Sequence, residues 1–424
     1  MEKQLSISYQ GKRVSFSIPA ENLLYTVAPA KTHPAQDEQD MVSVALNSPI
    51  GTEQIANEVT KGMRVVIIAD DMTRPTPNDT ILPPLLDQLN AAGVPDSSIT
   101  ILIALGTHRY MNRDEITEHY GAEVTRRVRI INHEWKDLNQ LVSIGSTASG
   151  IPISVNRIAY EADYLIAVGS IVPHCLAGWG GGGKAVQPGI CGWETTGRTH
   201  VLPAADNLFL RLSGDADNDV RREMEEVAHL VGLRFILNVV LDEERRVIHA
   251  VAGDQVAAHR AGVAFARGIY ERTIPELADI LVVSATPADL DYWQGMKPLS
   301  YAQNGLKRGG TIIFVGAFPE GISPSHPELE TYGTKSYNEL FDLFQRNTFT
   351  DLVCTGILLQ HAKCLAHCQV LCVSEGLSLS QKTALGFRHA QSIEQGLEQA
   401  FQTHGSSAKV GVIDYGGDML PRIR

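Results

Sequence analysis

No run in this 424-residue chain comes near the ~20 consecutive apolar residues that a bilayer-spanning helix requires. The opening residues, MEKQLSISYQ, lack the apolar core of a secretory signal, so a cytoplasmic protein with no membrane partner is expected. Basic residues are in deficit. The formal net charge is −12 and no basic stripe stands out, which argues against nucleic acid as a main partner. An acidic total does not speak against a local cationic pocket. Paired metal-ligand motifs are absent as well. The six cysteines (Cys175, Cys191, Cys354, Cys364, Cys368 and Cys372) read as reduced thiols. In LQHAKCLAHCQVLC, the residues His361, Cys364, His367, Cys368 and Cys372 crowd into one short stretch, without the two separated pairs of a zinc site. That stretch reads instead as a helix end running into a buried strand. No internal repeat or low-complexity tract is found.

Short apolar strands alternating with amphipathic helices are what the chain does have. RVVIIAD (64–70), SITILIAL (98–105), VRIINHE and YLIAVGSI read as buried strands, with helices in PNDTILPPLLDQLNAAGV and RDEITEHYG. FILNVVLDEERRVIHAVAGD reads as two strands, and DQVAAHRAGVAFARGIYER as a helix stopping near residue 270. A second set starts at DILVVSA (279–285) and continues through GTIIFVGAF, QVLCVSE, SIEQGLEQAFQTHG and AKVGVID. Continuous apolar strands between helices predict an α/β protein of two domains with mostly parallel sheets. The expected division is 1–270, carrying a cofactor and the catalytic histidines, and 271–405, clamping the substrate across an interdomain active-site cleft. The last strand, within 406–424, is expected to return to the first domain.

Polar residues follow the strand ends, where open α/β sheets bind ligands. In ADDMTRPTPN, Asp71, Thr73 and Arg74 follow a strand; the arginine suits a carboxylate or phosphate, or the group is a helix cap with a surface ion pair. His108 in ALGTHRY and His174 in VPHCLAGW each follow a strand, as an acid/base pair or as two structural residues. The run HCLAGWGGGGKAVQPG fits G-x-x-x-x-G-K, but Ala185 stands where magnesium needs Ser or Thr, and Pro188 stands where a helix should propagate. Lys184 is open to three readings: phosphate binder, Schiff-base lysine or covalent anchor. His200 in ETTGRTH is a candidate metal ligand. Gln294 and Lys297 in DYWQGMKPLS are three apart, so on a helix they share a face, toward an anionic substrate or toward solvent.

The ordered set DDMTRPTP (70–77), GTHRY (106–110), PHCLAGWGGGGK (173–184) with PGI behind it, TH (199–200) and WQGMK (293–297) resembles the nickel-dependent lactate racemase family along nearly the whole chain. The resemblance implies an isomerase that inverts carbon 2 of a 2-hydroxy acid. It implies a nickel pincer nucleotide, a pyridinium-3-thioamide-5-thiocarboxylic acid mononucleotide, joined to Lys184, with His200 on the nickel. Asp71, Met72, Thr73, Arg74 and Pro188 would hold the nucleotide. His108 and His174 would be alternating bases during hydride exchange with the cofactor, and Arg74, Gln294 and Lys297 would bind the substrate. Dedicated maturation proteins would be partners.

Four positions depart from the family pattern. Gly183 stands where arginine is frequent, which predicts extra space and one charge fewer in the site. Met72 replaces a histidine, Trp293 a tyrosine, and Phe349 takes the place of a tryptophan near the active site. These departures leave a second substrate class open, a longer polyhydroxy acid epimerised at carbon 2. A nucleotide-binding module without racemase activity is the remaining alternative.

Overall fold

The apolar runs pair into two six-stranded sheets. The computed structural model describes residues 1–205 and 208–424. Across the first sheet the strands are Val247–Gly253, Leu233–Leu241, Tyr164–Ser170, Val65–Asp70, Ile99–Ala104 and Arg129–Asn132, parallel except for the antiparallel edge strand Val247–Gly253. The 65–70 and 164–170 strands are buried at nearly every residue, because helices cover both faces. Chain order runs outward one way from 65–70 and the other way from 164–170. The direction reverses between these two strands, and a crevice opens at their carboxyl ends.

The second sheet is wholly parallel: Arg388–His389, Gln369–Val373, Leu306–Val315, Ala278–Ser284, Val410–Ile413 and Leu23–Val27. Its order reverses between 278–284 and 410–413. One expectation is thereby corrected. The strand after residue 405 does not return to the first sheet; Val410–Ile413 is hydrogen-bonded between 278–284 and 23–27. The chain start belongs there too, since Ile7, Phe16 and Ile18 of the hairpin Glu2–Tyr9/Lys12–Pro19 pack with Ile280, Ile313 and Val410. Nothing local distinguishes which sheet such a strand joins; the complementary apolar face decides it.

The helix Ala257–Tyr270 ends the first unit, and the parallel pair Glu271–Ile274/Leu420–Ile423 follows. One apolar cluster spans both units, with Trp179, Phe209 and Met224 from one and Tyr292, Met296 and Tyr301 from the other. The cysteine-rich stretch is the helix Leu352–His367 leading into the strand 369–373, as its pattern predicts. His361 there accepts from the Tyr292 hydroxyl at 2.7 Å through Nδ1 and donates to the Gly333 and Leu385 carbonyls through Nε2. Among the described residues, no helix is long and apolar enough to cross a membrane.

Candidate active site

Both sheet reversals open into one cavity of about 580 Å³. Residues after 65–70, 99–104 and 164–170 form one wall, and residues after 278–284 and 410–413 form the other. Asp71, Met72, Thr73, Arg74, His108, His174, Lys184, Pro188, His200, Gln294 and Lys297 all line it. The structure therefore brings together every residue singled out from the motifs, although they span more than half the chain.

His108 Nδ1 donates to Asp71 Oδ2 at 2.6 Å. The other oxygen of Asp71 accepts from the Thr73 hydroxyl (2.5 Å) and amide (3.1 Å). Burial alone would raise the Asp71 carboxyl, but the His108 charge and hydrogen bond, with Arg74 and Thr73, hold it well below the usual carboxylate range. With its Nδ1 proton committed to Asp71, His108 presents an Nε2 lone pair, which lies 3.3 Å from Gln294 Nε2. Gln294 Oε1 accepts from Lys297 (2.5 Å) and from Arg74 (3.4 Å). The helix Tyr292–Ala302 places Gln294 and Lys297 on one face, its start capped by Asp291 Oδ1 on the Gln294 amide at 2.8 Å. Gln294 is buried and Lys297 half-buried, both turned to the cavity.

His174 has the opposite tautomer. The Leu176 and Ala177 amides donate to its Nδ1 at 3.2 and 3.1 Å, so the proton of the neutral ring sits on Nε2. Burial, reinforced by Lys184, Lys297 and Arg74, keeps this imidazole well below the usual histidine range. Burial and the charges of Arg74 and Lys297 also hold the Lys184 amine far below the lysine range. Burial and Arg74 pull Lys297 down to about 7. Three basic side chains, Arg74, Lys184 and Lys297, thus converge beside two histidines.

His200 closes the helix Trp193–Val201. Its Nδ1 donates to the Thr196 carbonyl at 2.8 Å, leaving an Nε2 lone pair, and burial pulls the ring down to about 4. A metal ligand must be neutral with such a lone pair.

The glycine run is a scaffold and not a phosphate loop. It enters one 3-10 turn, Gly182–Ala185, instead of an α-helix. Arg221, fully buried, donates to the carbonyls of Ala177 (3.1 Å), Trp179 and Gly181 (3.0 Å). His259 Nε2 donates to the Gly180 carbonyl at 2.8 Å, and the Gly182 amide to Asn238 Oδ1 at 2.9 Å. Gly178 and Gly181 have φ of +73° and +75°, and a Cβ on Gly178 would fall 1.8 Å from the Asp215 carbonyl oxygen. Sequence reasoning missed Arg221, yet a signal exists. Arg221, Met224, Ala228 and Val231 recur at helical spacing, which puts the arginine on the apolar face of Asp219–Val231.

Two departures act differently than expected. Gly183 opens no space in the site. It faces the helix 219–231, where a Cβ would lie 3.1 Å from the Ala228 Cβ and the Met224 carbonyl oxygen. Phe349 does not line the cavity; it packs edge-on against Tyr332 at 5.2 Å, and Val353 and Ile357 reach the cavity from that region instead. Met72 sits at the rim, where its sulfur accepts from Arg109 at 3.4 Å. Trp293 joins a ring stack that sequence reasoning did not find: Trp135–Trp193 (5.1 Å), Trp193–His326 (6.0 Å) and His326–Trp293 (3.8 Å between centroids). His326, Asp351 and Cys354 lie close enough to suggest a metal site. The 2.6 Å spacing from His326 Nδ1 to Asp351 Oδ2 is that of a hydrogen bond, and Asp351 Oδ1 caps the helix 352–367, so the group is a hydrogen-bonded pair behind Trp293.

Several cavity groups await a ligand. The Ser170 and Thr196 hydroxyls are buried without partners, and no described residue bonds the Lys184 amine. These groups, the Lys184 amine whose charged form is disfavoured and the free nitrogen of His200 suit a cofactor carrying hydrogen-bonding groups, a covalent tether and a metal.

Comparison with known proteins places the chain in a family. Residues 9–208 match the model of the lactate racemase N-terminal domain, and 274–420 that of the lactate racemase C-terminal domain. The chain is 31% identical to the lactate racemase of Lactiplantibacillus plantarum, over 97% of this chain and 98% of that protein. It is 30% identical to the lactate racemase of Thermoanaerobacterium thermosaccharolyticum, over 75% of each. The solved lactate racemase apoprotein from the latter organism superposes with a TM-score of 0.89 at 27% identity, covering 99% of this chain and all of that one. On the two domain matches and the full-length likeness, the chain belongs to the lactate racemase family.

Proposed function

We propose that this protein is a racemase that inverts carbon 2 of a lactate-type 2-hydroxy acid, working with a nickel pincer nucleotide tethered to Lys184. The observation that carries this reading is the pair His108 and His174, of opposite tautomer, in one cavity with Arg74 and Lys297. The bound cofactor supplies a hydride acceptor, which carbon 2 needs because its C–H bond is barely acidic.

The chain's own residues do the rest. Arg74 and Lys297 hold the substrate carboxylate, and the anion offsets the repulsion that lowers Lys297. His108 Nε2 takes the hydroxyl proton, and Asp71 stabilises the resulting imidazolium through Nδ1. Gln294 Nε2, released from His108, turns to the substrate oxygen. His174 meets that oxygen through Nε2–H when the other face is used. To carry a full extra proton, its ring must give up the two amide contacts at Nδ1. Lys184, whose charged form burial disfavours, is suited to acyl attachment, and His200 Nε2 to nickel.

The test is intact mass and turnover of protein co-expressed with the family's maturation proteins and nickel. An added mass on wild type, absent from Lys184→Ala, is expected. C2-deuterated lactate should be inverted with its deuterium retained. Loaded protein that leaves single-enantiomer 2-hydroxy acids unchanged would refute the proposal.

A further inference from the structure

The 414–418 loop lay outside every motif, yet it forms part of the cavity wall. Gly417 and Asp418 line the same cavity as Arg74, His108, Lys297 and Gln294. The loop is pinned. The Gly416 amide donates to the Ser284 carbonyl at 2.9 Å, Gly417 to Thr286 at 3.0 Å, and Asp418 to Tyr415 at 3.0 Å. A Cβ on Gly416 would fall 2.4 Å from the Ser284 oxygen, so the loop lies flat on the carboxyl ends of its own sheet. Asp418 is held there by backbone contacts alone. Among the described residues, none donates a hydrogen bond to its carboxylate.

A carboxylate is a poor neighbour for an anionic substrate and offers nothing to a methyl group. It is a strong acceptor for a hydroxyl. Lys297 and Arg74, the groups assigned above to the substrate carboxylate, act on the Asp418 charge, as does Arg245. A 2-hydroxy acid held by its carboxylate there would carry carbon 3, one bond beyond the reacting carbon, within the same cavity. We infer that Asp418 is a specificity residue that accepts a hydrogen bond from a hydroxyl beyond carbon 2, so that the substrate is a polyhydroxy 2-hydroxy acid rather than lactate itself. This inference rests on the proposed inversion at carbon 2. Burial pushes the Asp418 carboxyl up to about 6, with Lys297 and Arg74 pulling it back, as suits a group that trades water for a substrate hydroxyl. A ribose hydroxyl of the cofactor would offer the same chemistry, and the test separates the two sources.

Lactate and 2,3-dihydroxypropanoate differ by one hydroxyl and make a direct comparison. Cofactor-loaded wild type, Asp418→Ala and Asp418→Asn are assayed on both acids, with intact mass recording the tether. The expected result is a wild-type kcat/KM at least about tenfold higher for the dihydroxy acid. Asp418→Ala lowers that ratio about tenfold or more, chiefly through KM, with the added mass retained. Asp418→Asn, nearly isosteric, keeps the fold and retains part of the preference, because its amide oxygen still accepts. A wild type that favours lactate, or a ratio unmoved by both variants, overturns the inference and leaves inversion at carbon 2 standing. Loss of the added mass in Asp418→Ala also overturns it, assigning the carboxylate to the cofactor. Absence of inversion on any acid removes the underlying reading as well.

Discussion

His108 and Gln294 meet across the cleft, Nε2 to Nε2 at 3.3 Å, although 186 residues separate them. The amide nitrogen donates to the imidazole, while the amide oxygen of the same side chain accepts from Lys297 and Arg74. One glutamine therefore ties His108 in one unit to both Lys297 and Arg74.

Gln294→Glu is predicted to cost more than its size suggests. The carboxylate cannot donate to His108 and would neutralise Lys297. A loss of about 10- to 100-fold in kcat/KM is expected, the worth of a hydrogen bond to a charged group. Gln294→Ala should be less harmful than Gln294→Glu, because it adds no charge. Steady-state kinetics of both variants decide this, and a fully active Gln294→Glu would contradict the assignment.

Asp71→Asn is predicted to lower turnover by about 10²- to 10⁴-fold with little change in fold. The amide cannot stabilise a protonated His108 as a carboxylate does. The stability effect has a defined sign. Asp71 is depressed in the folded state, so its contribution is present above the ordinary carboxylate pKa and fades as the pH falls below it. Melting curves between pH 3 and 7 should show a shallower acid loss in the variant.

Arg221→Met should destabilise the protein by about 3 kcal/mol or more, since three carbonyls of the glycine run lose their donor inside the core. Burial pulls Arg221 down to about 10, so it remains a cation at neutral pH. The same variant should fail to retain the cofactor mass. Denaturant unfolding and intact mass read the two effects separately.

His133 offers a pH test away from the site. It is fully buried, donates through Nε2 to the Cys191 carbonyl at 2.9 Å and accepts at Nδ1 from Asn156 at 3.1 Å. Burial pulls it down to about 4. The unfolded chain binds a proton near pH 6.5 that the folded one refuses, so stability is full above 6.5 and falls toward pH 4. The loss is on the order of 3 kcal/mol. His133→Gln should flatten this part of the stability–pH curve, measured by urea midpoints.

By itself the sequence determined most of the strands and helices and the identities of the candidate site residues that line the cavity. Runs such as VVIIAD and YLIAVGS are too apolar to be anything but buried strands, and the histidines sit where such strands end. Gln294 and Lys297 three apart already implied a shared helix face. Only the tertiary structure decided the rest. Local pattern carries no record of which sheet takes a strand, so Val410–Ile413 was expected in the wrong one. Tautomers follow from partners. His108 holds its proton toward Asp71, and His174 is stripped of one at Nδ1 by two amides, a difference no single-residue property contains. Gly183 read as empty space because a missing side chain says nothing about which wall the backbone faces, and that wall is the helix 219–231. Asp418 carried no motif at all. Its meaning comes from a loop folded flat against its own sheet, which brings one ordinary carboxylate to the cavity wall.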